Sequence, residues 1–358
     1  MPPAVTDEFD RWSADALARV ADDSTFRSVE PRVHPGRLNL THRSDPGSQF
    51  QDFSLALARL PQTPKQNRID AVITSLSMDQ LASLVPPPPV KPSELGPTGL
   101  VPGTRPGVNW MVDIDRGTIS GYDETSRQGI FAVRDEPPEW EWGAPFRPQF
   151  HWAALASGDA LMHGAVVGTA DAALLLVGPG GTGKSTTTFA AVDRGAKTCG
   201  DDYVWLTSHD GDLVAHSIYG TAKAKKSSAV ARPASMVAIR WRDSPSLNKR
   251  AYYVSMDRPQ AFMESARVVA AVTLETSPTL GTSAREIDSR ELIQKALPST
   301  ILQAPSGQRQ LLARLTGLMS PLPSYHLTLS PDLSESGDAI LGLLDSVSAR
   351  RSRPSEVV

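Results

Sequence analysis

The chain has 358 residues and a formal net charge of −3, from 36 basic and 39 acidic side chains; the length suits two domains. This balance lacks the basic excess of a nucleic-acid binder, and the single cysteine, Cys199, excludes an internal disulfide and a multi-cysteine zinc cluster. Residues 1–10 are acidic, without the apolar segment of a secretory signal, and no apolar run reaches the ~18–20 residues that span a bilayer, so a cytoplasmic protein is expected.

In chain order, residues 7–21 place Phe9, Trp12, Ala16, Leu17 and Val20 at helical spacing. Residues 50–60, with Phe53, Leu55, Ala56, Leu57 and Leu60, read as a second helix, and a third apolar run covers 69–84. Twelve of the 22 positions from Pro86 to Gly107 are proline or glycine. They predict a linker or long surface loop, polyproline-like in its first four residues. Strands follow at 108–114, 118–122 and 129–134, the first two joined through Asp115-Arg116-Gly117 as a hairpin. The cluster Trp140, Trp142 and Phe146 is read chiefly as packing. A boundary near residue 150 divides an α+β accessory or substrate domain (1–150) from a second domain (151–348) and a flexible tail (349–358).

Beyond residue 150 the grammar is α/β: a helix at 150–162, strands at 164–167 and 173–177, a helix at 184–194 closed by Gly195, and a strand at 203–206. Between the second strand and its helix stands Gly178-Pro179-Gly180-Gly181-Thr182-Gly183-Lys184-Ser185-Thr186, which fits Gly-x4-Gly-Lys-Ser/Thr. Glycines allow successive N–H groups to wrap a polyphosphate, and the helix N-terminus adds its dipole. Lys184 is placed to reach the β- and γ-phosphates and the Ser185 hydroxyl to complete a magnesium shell, so ATP with Mg2+ is expected here.

Gly200-Asp201-Asp202 opens the strand after that helix. Two carboxylates there can divide metal binding from proton acceptance. Adjacent strand residues point to opposite faces, so both can serve only if Gly200 supplies a kink. His163, at the start of the strand pair leading into the loop, is a further proton-handling candidate.

The segment 163–167, the loop, the helix ending Arg194-Gly195 and Gly200-Asp201-Asp202 together resemble the catalytic domain of HPr kinase/phosphorylase, over about residues 150–345. The segment Leu322-Pro323-Ser324-Tyr325-His326-Leu327 and the helix after it, at 337–344, are similar to the close of such proteins. The resemblance implies an α/β fold: a P-loop core like that of phosphoenolpyruvate carboxykinase and HPr kinase. It implies that His163 and Asp201 are the proton-handling pair, that Asp202 and Ser185 hold the metal, and that Lys184 binds phosphate. The family's glycine-containing segment for its protein substrate has no counterpart, since Lys223-Ala224-Lys225-Lys226-Ser227-Ser228 stands there; Lys223, Lys225 and Lys226 read chiefly as a solvated basic turn, with assistance to an anionic substrate as the alternative. The expected activity is therefore transfer of the γ-phosphate of ATP to a hydroxyl of a small molecule or short peptide, as in the lasso-peptide kinases, with no nucleic-acid or membrane partner. The alternatives are an HPr-type protein serine kinase, a non-catalytic nucleotide-binding regulator, and an ABC-type ATPase. The last is suggested by Pro305-Ser306-Gly307-Gln308-Arg309-Gln310-Leu311, which lacks a second glycine and a closing Asp-Glu. A carboxykinase would need arginine and metal-ligand signals not found here. The oligomeric state is open.

Overall fold

A computed structural model describes residues 7–60, 68–96, 98–225, 232–237, 239–244, 248–277 and 281–352. Pro97, residues 226–228 and the last six residues of the expected tail lie outside them. The described chain is mixed α/β and divides into two units. The first comprises 7–57, 68–158 and Ala304–Gly307, and the second comprises 58–60, 159–303 and 308–352.

In the first unit, α1 (Asp7–Asp22) precedes β1 (Arg27–Val33), β2 (Leu38–Ser44), a 3-10 turn (Gln49–Leu55), β3 (Ile69–Ser77) and α2 (Met78–Leu84). Then come β4 (Val108–Asp113), β5 (Thr118–Asp123), β6 (Gln128–Val133) and α3 (Arg147–Ala156). Six strands form one sheet in the order β1-β2-β3-β6-β5-β4. Phe9, Trp12 and Leu17 of α1 bury against Trp110, Ile119 and Ile130. The indole N–H of Trp110 donates to Ser13 Oγ at 2.6 Å.

Three sequence expectations change here. Residues 50–60 are not an α-helix, because the 3-10 turn ends at Leu55. The run 69–84 splits at Ser77, whose side chain caps α2 by accepting from the Gln80 amide. Strands also precede the proline-rich segment. That segment is a packed loop within the first unit: Val101 is buried, and the indole N–H of Trp12 donates to the Pro86 carbonyl at 2.6 Å. Trp142 and Phe146 pack on Phe53, while Trp140 lies under the Arg116 guanidinium. Ser306 is held here too, its carbonyl accepting from His151 Nε2 at 2.8 Å and its hydroxyl from Trp152 Nε1 at 2.8 Å.

The second unit starts with β7 (Ala160–Gly168), β8 (Ala173–Val177), α4 (Lys184–Val192), β9 (Lys197–Gly200), β10 (Tyr203–His209) and β11 (Asp212–His216). Next come β12 (Ala222–Lys225), β13 (Trp241–Ser244), β14 (Lys249–Tyr252) and α5 (Val254–Asp257). The order closes with β15 (Ser265–Thr276), β16 (Ser283–Glu286), α6 (Ser289–Ala296), α7 (Pro298–Ile301), α8 (Gln308–Met319), β17 (Ser324–Leu329) and α9 (Leu333–Ser352). The main sheet runs β11-β10-β7-β8-β15-β17-β16, with β9 on β7 and β11 also paired to β15. β8 and β17 flank β15 in parallel, whereas β7 is antiparallel to β8 and β10. β12, β14 and β13 form a separate three-stranded sheet. The expected helix at 150–162 ends at Ala156, since residues from Ala160 onward join β7. α9 reaches Ser352, so the first four residues of the expected tail are helical. Among the described residues, no helix is long and apolar enough to cross a membrane.

Candidate active site

β8 is buried along its whole length, as a central strand between β7 and β15 must be. Its end releases the chain into the glycine loop, and α4 begins at Lys184. Gly183 joins loop to helix at φ +98°, in the left-handed region that favours glycine. Lys184 is buried, and its ammonium donates to the carbonyls of Gly178 at 2.7 Å and Pro179 at 3.0 Å. Burial lowers its pKa, against the opposing charges of Asp202 and Asp201.

The second wall comes from the junction of β9 and β10. Gly200 has φ +153°, and a Cβ there would lie 2.9 Å from the Tyr203 carbonyl. This kink turns both following carboxylates into one cavity of ≈ 580 Å³. Gly180, Gly181, Gly183, Lys184, Ser185 and Thr186 line the same cavity, as does His163. Gly178, Pro179 and Thr182 belong to the loop but not to the lining. Ser299 Oγ donates to the Gly178 carbonyl at 3.4 Å, and Thr182 Oγ1 to that of Pro179 at 3.1 Å.

The two aspartates have different surroundings. Asp201 accepts the Lys223 amide on Oδ2 at 3.1 Å, while its buried Oδ1 has no hydrogen-bond partner of normal geometry. Burial and the neighbouring Asp202 charge push its pKa up, opposed by the nearby Ser185 hydroxyl, the Lys223 amide and Lys184. Asp202 is bound by Lys223 Nζ on Oδ2 at 2.6 Å and faces His163 Nε2 from Oδ1 at 3.4 Å. Burial alone would raise its pKa too, but the Lys223 charge and His163 outweigh it and hold Asp202 well below the usual carboxylate range.

The structure thus associates Ser185 with Asp201 and His163 with Asp202, the reverse of the partnership that the resemblance implies. Strand register is the reason. Tyr203 lies opposite His163 in the β10–β7 ladder, and the Gly164 amide donates to the Asp202 carbonyl at 3.1 Å. The second aspartate is therefore the one brought beside His163.

Gln303 adds a constraint invisible in the motif. Its amide nitrogen donates to the Ser299 carbonyl at 2.7 Å, and a carbonyl only accepts, which fixes the amide's orientation. The same nitrogen lies 3.3 Å from His163 Nδ1, which must then accept. A neutral imidazole accepting on Nδ1 carries its proton on Nε2, toward Asp202. The Tyr203 hydroxyl donates to Gln303 Oε1 on the far side. Lys223 is no solvated turn residue: β12 begins at Ala222, and the Lys223 side chain is an integral part of the site.

A magnesium ion fits this donor set. Ser185 supplies a hydroxyl, the unpartnered Asp201 Oδ1 an anionic oxygen, and Mg2+ ordinarily takes one or two carboxylates together with substrate phosphates and water.

No protein-family model matches this chain, and no curated protein matches it. Among solved structures, it is similar to the Hpr(Ser) kinase/phosphatase from Coxiella burnetii, at 12% identity and a TM-score of 0.27, over 53% of this chain and 95% of that one. The functional reading accordingly rests on the geometry of the site.

Proposed function

We propose that the second unit is an ATP-dependent phosphotransferase that moves the γ-phosphate to a hydroxyl of a small molecule or short peptide. The observation that carries this reading is the convergence of Lys184, Ser185, Asp201, Asp202 and His163 on one cavity beside the glycine loop. The loop amides and the start of α4 receive the triphosphate. Lys184 exchanges its loop carbonyls for phosphate oxygens, which offer its buried charge a stronger partner. Ser185 and Asp201 hold magnesium, which when bound offsets charge on the phosphates.

Asp202 orients the acceptor hydroxyl and takes its proton as the oxygen–phosphorus bond forms and the bond to the β-phosphate oxygen breaks, with ADP leaving. Lys223 and the Nε2–H of His163 hold this carboxylate anionic and in place. His163 accordingly positions Asp202 rather than shuttling the proton itself, and the two aspartates exchange the roles that the resemblance implies. HPr is not required as the acceptor.

Labelled ATP incubated with separate pools of HPr, peptides, sugars and hydroxy-amino acids tests the activity. Asp202→Asn should lower transfer by ~10²–10⁴ while binding of the ATP analogue AMP-PNP stays near wild type. Asp201→Asn should chiefly raise the magnesium concentration needed for half-maximal transfer. Lys184→Ala should abolish turnover. Wild-type transfer by Asp202→Asn, or labelling of HPr alone, would count against the assignment.

A further inference from the structure

The part of the cavity lining that β12 and β14 supply is more basic than a nucleotide site needs. Lys223 and Lys225 alternate along β12, and Lys249 of β14 stands directly opposite Lys225 in the antiparallel register. Cross-strand partners and i, i+2 neighbours share a sheet face, so the three side chains lie together. All three line the cavity, and so does Arg232. Like charges directly opposite one another disfavour a strand pair.

Neighbouring cations on the same ribbon have partners. Lys223 is held by Asp202, and Arg250 by Asp243 at 2.8 Å on the face that carries Trp241. Lys225 and Lys249 have no ion pair among the described residues. Lys249 is also near enough to Lys184 for the two charges to oppose each other. The cavity lining holds five cations, Lys184, Lys223, Lys225, Arg232 and Lys249, against two carboxylates, Asp201 and Asp202. Within the proposed function, Lys184 and the loop amides serve the triphosphate and Asp202 already occupies Lys223. The Lys225–Lys249 pair is left over, whereas Arg232 is stacked over the Tyr252 ring, 5.6 Å from its centroid.

We infer that Lys225 and Lys249 form an anion subsite for the phosphate acceptor, whose hydroxyl is carried on a molecule with a phosphate or carboxylate group. The inference rests on the nucleotide reading and names its second substrate by class. An anion held on β12 and β14 would tether the acceptor on the ribbon that also carries Lys223, the partner of Asp202. Such anchoring makes the attack effectively intramolecular.

The test loads the full chain with saturating Mg·AMP-PNP and titrates it by calorimetry at low salt with inorganic phosphate and, separately, with succinate. Saturable binding of either is expected, and the stronger of the two distinguishes a phosphate-bearing from a carboxylate-bearing acceptor. Lys225→Ala/Lys249→Ala should weaken that binding at least tenfold and leave AMP-PNP affinity within about threefold. Lys225→Arg/Lys249→Arg, which keeps both charges, should restore it and shows that the alanine variant has not simply misfolded. Absence of anion binding to the loaded wild type, or an undiminished anion affinity in the alanine variant, overturns the inference. An equal loss of AMP-PNP affinity also overturns it, since the lysines would then belong to the nucleotide phosphates. Should the wild type take up no AMP-PNP, the nucleotide reading itself falls, and an acceptor subsite built on it falls too.

Discussion

Replacing Gln303 by glutamate keeps the length of the side chain and turns its only donor into an acceptor, facing His163 Nδ1 where the amide nitrogen now stands 3.3 Å away. A carboxylate there favours a proton on Nδ1, which disturbs the Nε2–H that now faces Asp202. Nitrogen-15 NMR of the ring should find Nε2 protonated and Nδ1 bare in the wild type, and a proton on Nδ1 in Gln303→Glu. Phosphate transfer should fall by ~10²-fold, the lower end of the loss from a displaced base, with AMP-PNP affinity nearly unchanged. Gln303→Leu removes the donor without adding charge and should lose less. A wild-type ring protonated on Nδ1 would refute the orientation drawn here. Neither Gln303 nor Lys223 belongs to the motif that marks the loop. Gln303 lies 140 residues from His163 and is brought to it only through the docking of α7 on β7, with Thr300 Oγ1 accepting the His163 amide at 3.2 Å. Contacts of that range leave no local trace in the sequence, whereas the glycine loop is legible because its strand, glycines, lysine and helix are contiguous.

The elements show the same division between local and long-range signals. The helix at Lys184–Val192 and the strands at Ala173–Val177 and Tyr203–His209 stand where their apolar periodicity and the adjoining glycines put them. β3 is hidden because Ile73, Thr74, Ser75 and Leu76 are all buried, so the strand lacks the alternation of a half-exposed one and runs on into Met78, Leu81 and Leu84 of α2. The β9–β10 junction is the element-scale feature on which the site depends most. Gly200 closes β9, its amide donates to Thr198 Oγ1 at 3.0 Å, and Thr198 Oγ1 in turn donates to the Val166 carbonyl at 2.7 Å. Adding a methyl group to Gly200 would strain its left-handed backbone and meet the Tyr203 carbonyl at 2.9 Å and Val204 Cγ1 at 3.2 Å. Gly200→Ala should therefore cost about 1–3 kcal/mol in urea unfolding. Because the strain falls on the residue before the acid pair, transfer should fall further than stability explains, with activity reduced even where the variant is fully folded. Wild-type transfer in folded Gly200→Ala would show that the kink does not set the two carboxylates.

At the scale of the whole molecule, the stability of the first unit depends on pH through its buried histidines. The first holds His42 in its core, with Nε2 2.7 Å from Ser75 Oγ and the ring packed on Phe146, and burial pushes its pKa down to about 3. His151, also in that unit, is lowered mainly by burial, against the Ser306 carbonyl that favours its charged form. An unfolded histidine titrates near 6.5. Between about pH 6.5 and 3 the unfolded chain thus binds a proton that folded His42 refuses. Stability is complete above that window and is lost as pH falls through it, by at most roughly 1.4 kcal/mol per pH unit for each such group. Five of the seven tryptophans, Trp12, Trp110, Trp140, Trp142 and Trp152, lie in the first unit, so indole fluorescence reports chiefly on its unfolding. Urea midpoints followed by fluorescence should therefore drop steadily from pH 7 to pH 5, a range chosen to stay above the titration of ordinary carboxylates. His42→Gln retains a hydrogen-bonding partner for Ser75 and should be less stable at pH 7 while showing a visibly shallower slope, with His151 supplying the remainder. A slope unchanged by His42→Gln would mean that the ring takes up its proton without unfolding, and that the core around Phe53 and Phe146 admits water to it.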